Sequence, residues 1–469
     1  MNLQNLLNKV KLIMQRIFGK QFKHHESLLF TDTDLRRLMI PLLMEQLLIV
    51  VMSIINTKMV AFVGEAAVSA ISLVDSINIL LINVFAALAT GGAVIAAQYM
   101  GRKDMSMAGK AAKQLLYVML AVSLLISTIS LLFHKSILQL VFPNVSSEIM
   151  AYSKTYFLII ALSFPFLSVF HGGSALLRAA GNSKASLNTT LLINIINVAA
   201  NALLIYVFQL GMEGAALAAL IARIVGAVIM LVLLKDSHQV LRIPSILSFQ
   251  WDAAMVKRIL GIGIPNSLEN SMFQMGKILL QGLISSVGSV AIAANAVAST
   301  LAGFQVIPGS AAGLAMITVI GRCAGAKEYG QAKQYIKKLM GFSYLTMTLL
   351  VGIILLLFPQ IISSYGLRKE TEELTWQLLL VHTIVCAVIW PSSFTLPNAL
   401  RAAGDVRFTM LASGGSMLVF RIGFSYLLVW QFHMGVMGVW IAMMIDWLIR
   451  SAAFYWRYRS NIWENRSVL

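Results

Sequence analysis

The sequence predicts an all-α membrane protein, with twelve transmembrane helices in two six-helix lobes related by a parallel pseudo-two-fold axis normal to the membrane. Three observations carry this reading. The 469 residues are 58 % apolar and 12 % charged, with a mean hydropathy of +0.81, whereas a soluble domain has about a quarter charged residues. Apolar stretches of about 20 residues, the length that crosses a bilayer, recur with polar punctuation between them. Two of these stretches, Ile40-Pro41-Leu42-Leu43-Met44-Glu45-Gln46 and Ile264-Pro265-Asn266-Ser267-Leu268-Glu269-Asn270, each set a carboxylate four residues after a proline. They lie 224 positions apart (269 minus 45), so the halves read as copies.

Residues 1–37 are an expected cytosolic segment. Leu3, Leu6, Leu7, Val10, Met14 and Ile17 fall at helical spacing, while Lys9, Lys11, Arg16 and Lys20 interrupt any signal-peptide core. An amphipathic helix lying on the membrane surface is the expectation. Spans follow at 38–62, 76–100, 114–133, 152–175, 187–208 and 212–234, forming an N-terminal lobe over 38–234. A second set at 257–286, 290–320, 335–358, 376–400, 408–430 and 435–455 forms a C-terminal lobe over 257–455. The stretch 235–256, with Asp236, His238, Arg242, Pro244, Gln250 and Asp252, reads as a cytosolic linker between lobes, and 456–469 as a cytosolic tail.

Lys and Arg in alternate loops set the orientation. One side collects most of them, in clusters such as Arg102, Lys103, Lys110 and Lys113, or Arg322, Lys327, Lys333, Lys337 and Lys338; the other has Lys58, Lys135, Lys154, Arg368 and Lys369. Both termini are therefore expected in the cytosol, in a multi-pass protein of the plasma membrane. The net charge of +17 follows from this topology, and no nucleic-acid partner is expected, because the basic residues are dispersed among short loops. Cys323 and Cys386 sit in apolar surroundings without metal-ligand spacing and read as small buried hydrophobes.

The repeat extends beyond the two openings. At the same offset Val63, Gly64, Ala67, Ala70, Gly101 and Lys103 meet Val287, Gly288, Ala291, Ala294, Gly325 and Lys327. Leu177-Arg178-Ala179-Ala180-Gly181 matches Leu400-Arg401-Ala402-Ala403-Gly404, and Gly211, Gly214 and Ala218 match Gly435, Gly438 and Ala442. An even number of spans per copy makes both run the same way through the membrane, an architecture suited to alternating access.

The Pro-x-x-x-Glu openings, the Val-Gly turns, the Leu-Arg-Ala-Ala-Gly loops and the Gly-x-x-Gly starts of the sixth and twelfth spans resemble the multidrug and toxic compound extrusion (MATE) family over about residues 35 to 460. The resemblance implies secondary active antiport: organic cations and amphipathic drugs leave in exchange for protons or sodium ions. It implies no cofactor, a lipid bilayer as surroundings, and a monomer as the working unit. The family places a cation site on a first-helix acid and a fifth-helix Asn-x-x-x-Asp; here Asn197-Val198-Ala199-Ala200-Asn201 has Asn in place of Asp, which leaves proton and sodium both open.

The residues read independently as follows. Glu45, Ile49, Met52 and Asn56 share a face of the first helix, and Asn194, Asn197 and Asn201 share one of the fifth. Glu45, Asn194, Asn197 and Asn201 are therefore the candidate cation-coupling set, with a sodium site at Glu45, Asn197 and Asn201 as one form of it. In the other lobe Glu269, Met272, Phe273 and Gly276 are the candidate substrate-binding set, a buried acid beside a polarisable wall; Lys277 is a structural partner for that acid. Arg421 and Asp446 are expected to pair inside the membrane, as an ion pair or a relay, with His382 a titratable neighbour. A lipid-linked saccharide flippase is the alternative, disfavoured by cavity helices that offer chiefly Glu and Asn. No G-x-x-x-x-G-K-[ST] loop occurs and no catalytic constellation is recognisable, so the chain reads as neither a nucleotide-driven pump nor an enzyme.

Overall fold

The first helix opens on a reciprocal cap. Thr31 N–H donates to Asp34 Oδ2 at 2.9 Å and Asp34 N–H donates to Thr31 Oγ1 at 3.2 Å, which satisfies two of the amides that a helix start leaves unpaired. From there the structure, a computed structural model describing residues 28–143, 145–243, 248–466 and 468, is helical almost throughout. The amphipathic helix expected over Leu3 to Ile17 lies outside the described residues.

The elements are α1 (Asp32–Ala61), α2 (Glu65–Gly101), α3 (Met105–Val141), α4 (Ser147–Leu162), α5 (Phe164–Ala179), α6 (Ser183–Asn201, running on through a π-helical turn over Ala202–Val207) and α7 (Gly211–Lys235). After the linker come α8 (Ala253–Val287), α9 (Ser289–Gln305), α10 (Ile307–Ala326), α11 (Tyr329–Ser363), α12 (Lys369–Trp390, continued by a π-helical turn over Pro391–Thr395) and α13 (Leu396–Ala402). The chain ends with α14 (Val406–Ser416, continued by a π-helical turn over Met417–Gly423), α15 (Phe424–Trp430) and α16 (Gly435–Arg459). Among the described residues ten helices are long and apolar enough to cross a membrane, and α4 with α5, bent by 48° at Ser163, makes an eleventh. The twelfth is α8, whose 35 residues carry Lys257, Arg258, Glu269 and Lys277. Prolines account for two restarts, Pro165 opening α5 and Pro308 opening α10, since proline fits the first helical turn and breaks what precedes it.

The repeat holds at the level of backbone angles. Gly64 and Gly288 turn into α2 and α9 with φ +124° and +129°, and Gly211 and Gly435 open α7 and α16 at φ +55° each, a region that only glycine enters without steric cost. Lys103 and Lys327 adopt φ of +63° and +60° at the same offset.

Contacts divide the described chain into two compact units, Met44–Ser271 and a second made of the residues up to Leu43 with Met272–Leu469. The divisions thus fall inside α1 and α8, not in the linker, and differ from the expected lobes 38–234 and 257–455. Packing explains the difference. In the first unit the opening of α8 seats on α2: Asn266 donates to Ala87 O (3.0 Å), Ser267 to Val84 O (3.1 Å) and Arg258 to Tyr99 Oη (2.8 Å). A side chain at Gly91 would meet Ile259 O at 2.6 Å, so the two helices touch backbone to backbone. The linker belongs to this unit too, through Lys113 Nζ to Ser248 Oγ (2.9 Å) and Asp252 N–H to Gln114 Oε1 (3.2 Å). In the second unit Leu35, Leu38, Met39 and Leu42 enter a core with Ala311, Ala315, Tyr335 and Leu339, and Tyr335 Oη donates to Phe30 O at 2.8 Å. Cys323 and Cys386 are both buried and free of disulfide.

Candidate functional site

Glu45, on α1, is 5 % exposed and bonded on several sides. Arg178 Nη1, from α5, donates to its Oε1 at 3.2 Å. From α6 Ser186 Oγ reaches Oε1 and Oε2 at 3.2 and 3.3 Å, and Thr190 Oγ1 reaches Oε1 at 3.4 Å. Arg178 is held in turn by Ser174 Oγ at 2.5 Å. Spacing accounts for the cluster: Ser174 and Arg178, like Ser186 and Thr190, are four apart and share a helix face. The charge is therefore neutralised in place, as an intramembrane acid requires.

Among the described residues no hydrogen bond joins Glu45 to Asn194, Asn197 or Asn201. Asn194 Nδ2 donates to the Thr190 carbonyl of its own helix at 2.8 Å, and Asn201 Nδ2 to Asn197 Oδ1 at 3.2 Å. What α1 brings to this level is Asn56. Thr190 bonds Glu45, an offset of 145 (190 minus 45), and Tyr206 Oη bonds Met59 O at 3.3 Å, an offset of 147 (206 minus 59); α1 and α6 therefore run parallel here, and Asn56 and Asn201 both fall between these two contacts. Asn56 Oδ1 and Asn201 Oδ1 are both buried with no hydrogen-bond donor. Acceptors left in this way suit a cation or water that brings its own positive charge or proton. No three His, Cys, Asp or Glu residues converge among the described residues, so the donor set is one of amide oxygens.

A second polar cluster in the same unit was not legible as a site. Arg223, on α7, donates to Ser163 Oγ at 2.5 Å and to Asn78 Oδ1 at 3.1 Å, and interacts electrostatically with Asp75 and Tyr156. Asp75 lies ten residues into α2 (75 minus 65), about 15 Å along its axis. The second span was expected to begin at residue 76, which left Asp75 outside it. Asp75 and Asn78, three apart in an apolar helix, are the signal that could have found the cluster.

In the second unit the expected substrate wall packs inward. Arg421 and Arg450 hold their guanidinium carbons 5.1 and 5.0 Å from the Phe273 ring centroid, and Phe394 meets the ring edge-on at 5.7 Å. Met272 lies against Gly414, and Gly276 against Met417. The Phe273 ring, expected as part of the substrate wall, is thus met by two cations of the protein itself. Glu269, 4 % exposed, lies just before these residues on α8, on the other side of the division between units. Lys277, expected as its partner, is exposed and forms no ion pair among the described residues.

Arg421 Nη1 lies 3.9 Å from Asp446 Oδ2, and Ser416 Oγ donates to Asp446 Oδ1 at 2.5 Å. His382 is enclosed: Nδ1 bonds Gln305 Oε1 at 2.9 Å, and the Trp440 and Trp447 rings meet it edge-on, each at 5.3 Å. Gln305 Nε2 is fixed by Thr383 Oγ1 at 2.8 Å.

The MatE family model matches residues 41–203 and 265–427, two stretches separated by the same 224 positions as the Pro-x-x-x-Glu openings. The chain belongs to the MatE family. Its members are transporters, so this MatE protein is a membrane transporter and not an enzyme. It is 26 % identical to an uncharacterized transporter, YisQ, of Bacillus subtilis, over 91 % of this chain and 94 % of that one. It is 25 % identical to a probable multidrug resistance protein, NorM, of Thermotoga maritima, over 93 % and 94 %. A MATE transporter crystallised in a bent conformation superposes with a TM-score of 0.84 at 20 % identity, over 93 % of this chain and 97 % of that one. The MatE fold, twelve transmembrane helices in two lobes, is thereby shared. None of these relatives carries a saccharide in its name, and the flippase alternative is not favoured.

Proposed function

We propose that this MatE protein is a secondary active antiporter of the plasma membrane, with both termini in the cytosol, exporting organic cations and amphipathic drugs against an inward flow of protons or sodium ions. The names of the multidrug relatives support the substrate class. The observation that carries the coupling is the set of acceptors on α1 and α6, from Glu45 to the unsatisfied oxygens of Asn56 and Asn201. It runs about 16 Å along the helices, from residue 45 to residue 56 at 1.5 Å each, a polar path in a segment where lipid would otherwise exclude polar groups. Glu269, the repeat mate of Glu45, supplies a buried acid at which a cationic substrate and a proton compete.

The deciding experiment is ethidium efflux from proteoliposomes under separately imposed proton and sodium gradients. Efflux driven by one gradient alone, and lost with its dependence on that ion in Asn201→Ala, is the expected result. Efflux that needs no ion gradient would refute antiport. A reporter fused after Leu469 should read as cytosolic, and an external signal would refute the orientation.

A further inference from the structure

The second unit contains a cavity of 660 Å³ that the transport reading does not use. One stripe of α11 lines it, Lys333, Lys337, Met340 and Tyr344, at spacings of four, three and four. The end of α16 faces the stripe with Tyr455, Tyr458 and Arg459, and Leu396 of α13 closes the side.

The lining is graded. Lys333, Lys337 and Arg459 gather at the helix ends, whereas Ile336, Met340 and Leu396 lie further along, down to Tyr344 and Ser392, which hydrogen-bond each other. From Lys333 to Tyr344 is eleven residues, about 16 Å of helix. Partners at the mouth are few. Lys333 Nζ meets Glu464 at 2.7 Å, and Arg459 donates to Tyr455 Oη at 2.7 and 2.9 Å. Lys337 is exposed and has no ion-pair partner among the described residues. Tyr455 and Trp456, 48 % and 60 % exposed, mark this turn of α16 as the level of the membrane interface, where such amphipathic rings settle.

We propose that this cavity binds an anionic phospholipid of the inner leaflet. Its phosphate lies at Lys333, Lys337 and Arg459, its glycerol region against the tyrosines, and the start of one chain along Ile336, Met340 and Leu396. The orientation proposed above puts this end of the bundle in the cytosol, where anionic headgroups concentrate and basic pockets between helices collect them. An excess of cations over a single acid, Glu464, selects a negative ligand, and the graded lining selects an amphiphile over a free ion. The chain's own first residues are an unsuitable occupant, since Lys9, Lys11, Arg16, Lys20 and Lys23 precede its first acid, Glu26.

Native mass spectrometry of the full-length protein in detergent tests the site, with added phosphatidylglycerol or phosphatidylcholine as probes. Phosphatidylglycerol should be retained about fivefold or more over phosphatidylcholine, and the double variant Lys337→Ala, Arg459→Ala should lower that retention about fivefold. Both residues are exposed, so the fold is not at stake. Lys110→Ala with Lys184→Ala, which removes as much charge from the same proposed membrane face, should leave retention unchanged. Equal retention of the two lipids would overturn the proposal, as would an equal loss in the control variant. Displacement of phosphatidylglycerol by millimolar inorganic phosphate would instead assign the site to a free anion and overturn the lipid.

Discussion

Glu45 shows how one residue's surroundings decide between ion site and ion pair. Its carboxylate already accepts from Arg178, Ser186 and Thr190, so removing its charge acts first on Arg178, whose side chain is 16 % exposed. Replacing the carboxylate that faces that guanidinium by a neutral amide costs about 1–3 kcal/mol, so Glu45→Gln should lower the unfolding temperature in detergent. Arg178→Gln added to it should recover part of the loss, since the pair acts as a unit. Strictly additive losses in that cycle would show the two to be uncoupled. The sequence could place Glu45 on the same face as Asn56, but not choose its partner, because a hydrogen-bond donor on another helix leaves no trace in spacing. Arg178 was visible only as part of the Leu-Arg-Ala-Ala-Gly loop. The asparagines were legible as a stripe because i, i+3, i+7 spacing is local.

Elements were the most legible scale, since apolar length and glycine turns are written in consecutive residues, and each expected span falls within a helix or a run of consecutive helices to within one residue at its end. What the sequence could not show is where contacts cut across a helix, as they do in α1 and α8. The cause is tertiary: Gly91 of α2 and Gly263 of α8 are unremarkable in a membrane sequence until the two helices meet at them. Gly91→Ala should therefore lower folded yield and stability by about 1–3 kcal/mol, because its Cβ would stand 2.6 Å from Ile259 O and 2.8 Å from Gly263 N, backbone atoms that cannot rotate away. Gly261→Ala, with open space around its Cβ, is the control, and equal thermal melts for the two would show that the close approach is unimportant. A similar asymmetry holds where the π-helical turn after α14 meets α16. Asp446, fully buried, faces Arg421, with Arg450 sharing the Phe273 ring. Asp446→Asn leaves guanidinium groups without that carboxylate and should destabilise by about 3–5 kcal/mol; Arg421→Gln should cost less, as it also relieves repulsion with Arg450. The double change should restore part of the expression lost by Asp446→Asn, and a double variant worse than the sum would contradict the pairing.

At the scale of the whole molecule, the two Pro-x-x-x-Glu openings lie on the helices at which the division between the compact units falls, so under the proposed antiport a change at either acid should alter the transport cycle. Symmetry alone would give Glu45 and Glu269 equal roles, but their surroundings differ. Glu45 is tied into a serine and arginine cluster within its own unit, whereas Glu269 is followed at once by Met272, Phe273 and Gly276, which belong to the packing of the other unit. If Glu269 is where proton and cationic substrate exclude each other, Glu269→Gln keeps the size of the side chain and much of its hydrogen bonding while removing the charge that coupling needs. Protein should be made at normal levels, with ethidium efflux reduced about tenfold or more at every pH, since the glutamine amide carries no charge at any of them. Glu45→Gln, compared at matched protein levels, should keep substantial efflux and shift its dependence on pH or sodium. Normal efflux by Glu269→Gln, or equal loss in both variants, would return the two acids to equivalence and remove the assignment of substrate competition to Glu269.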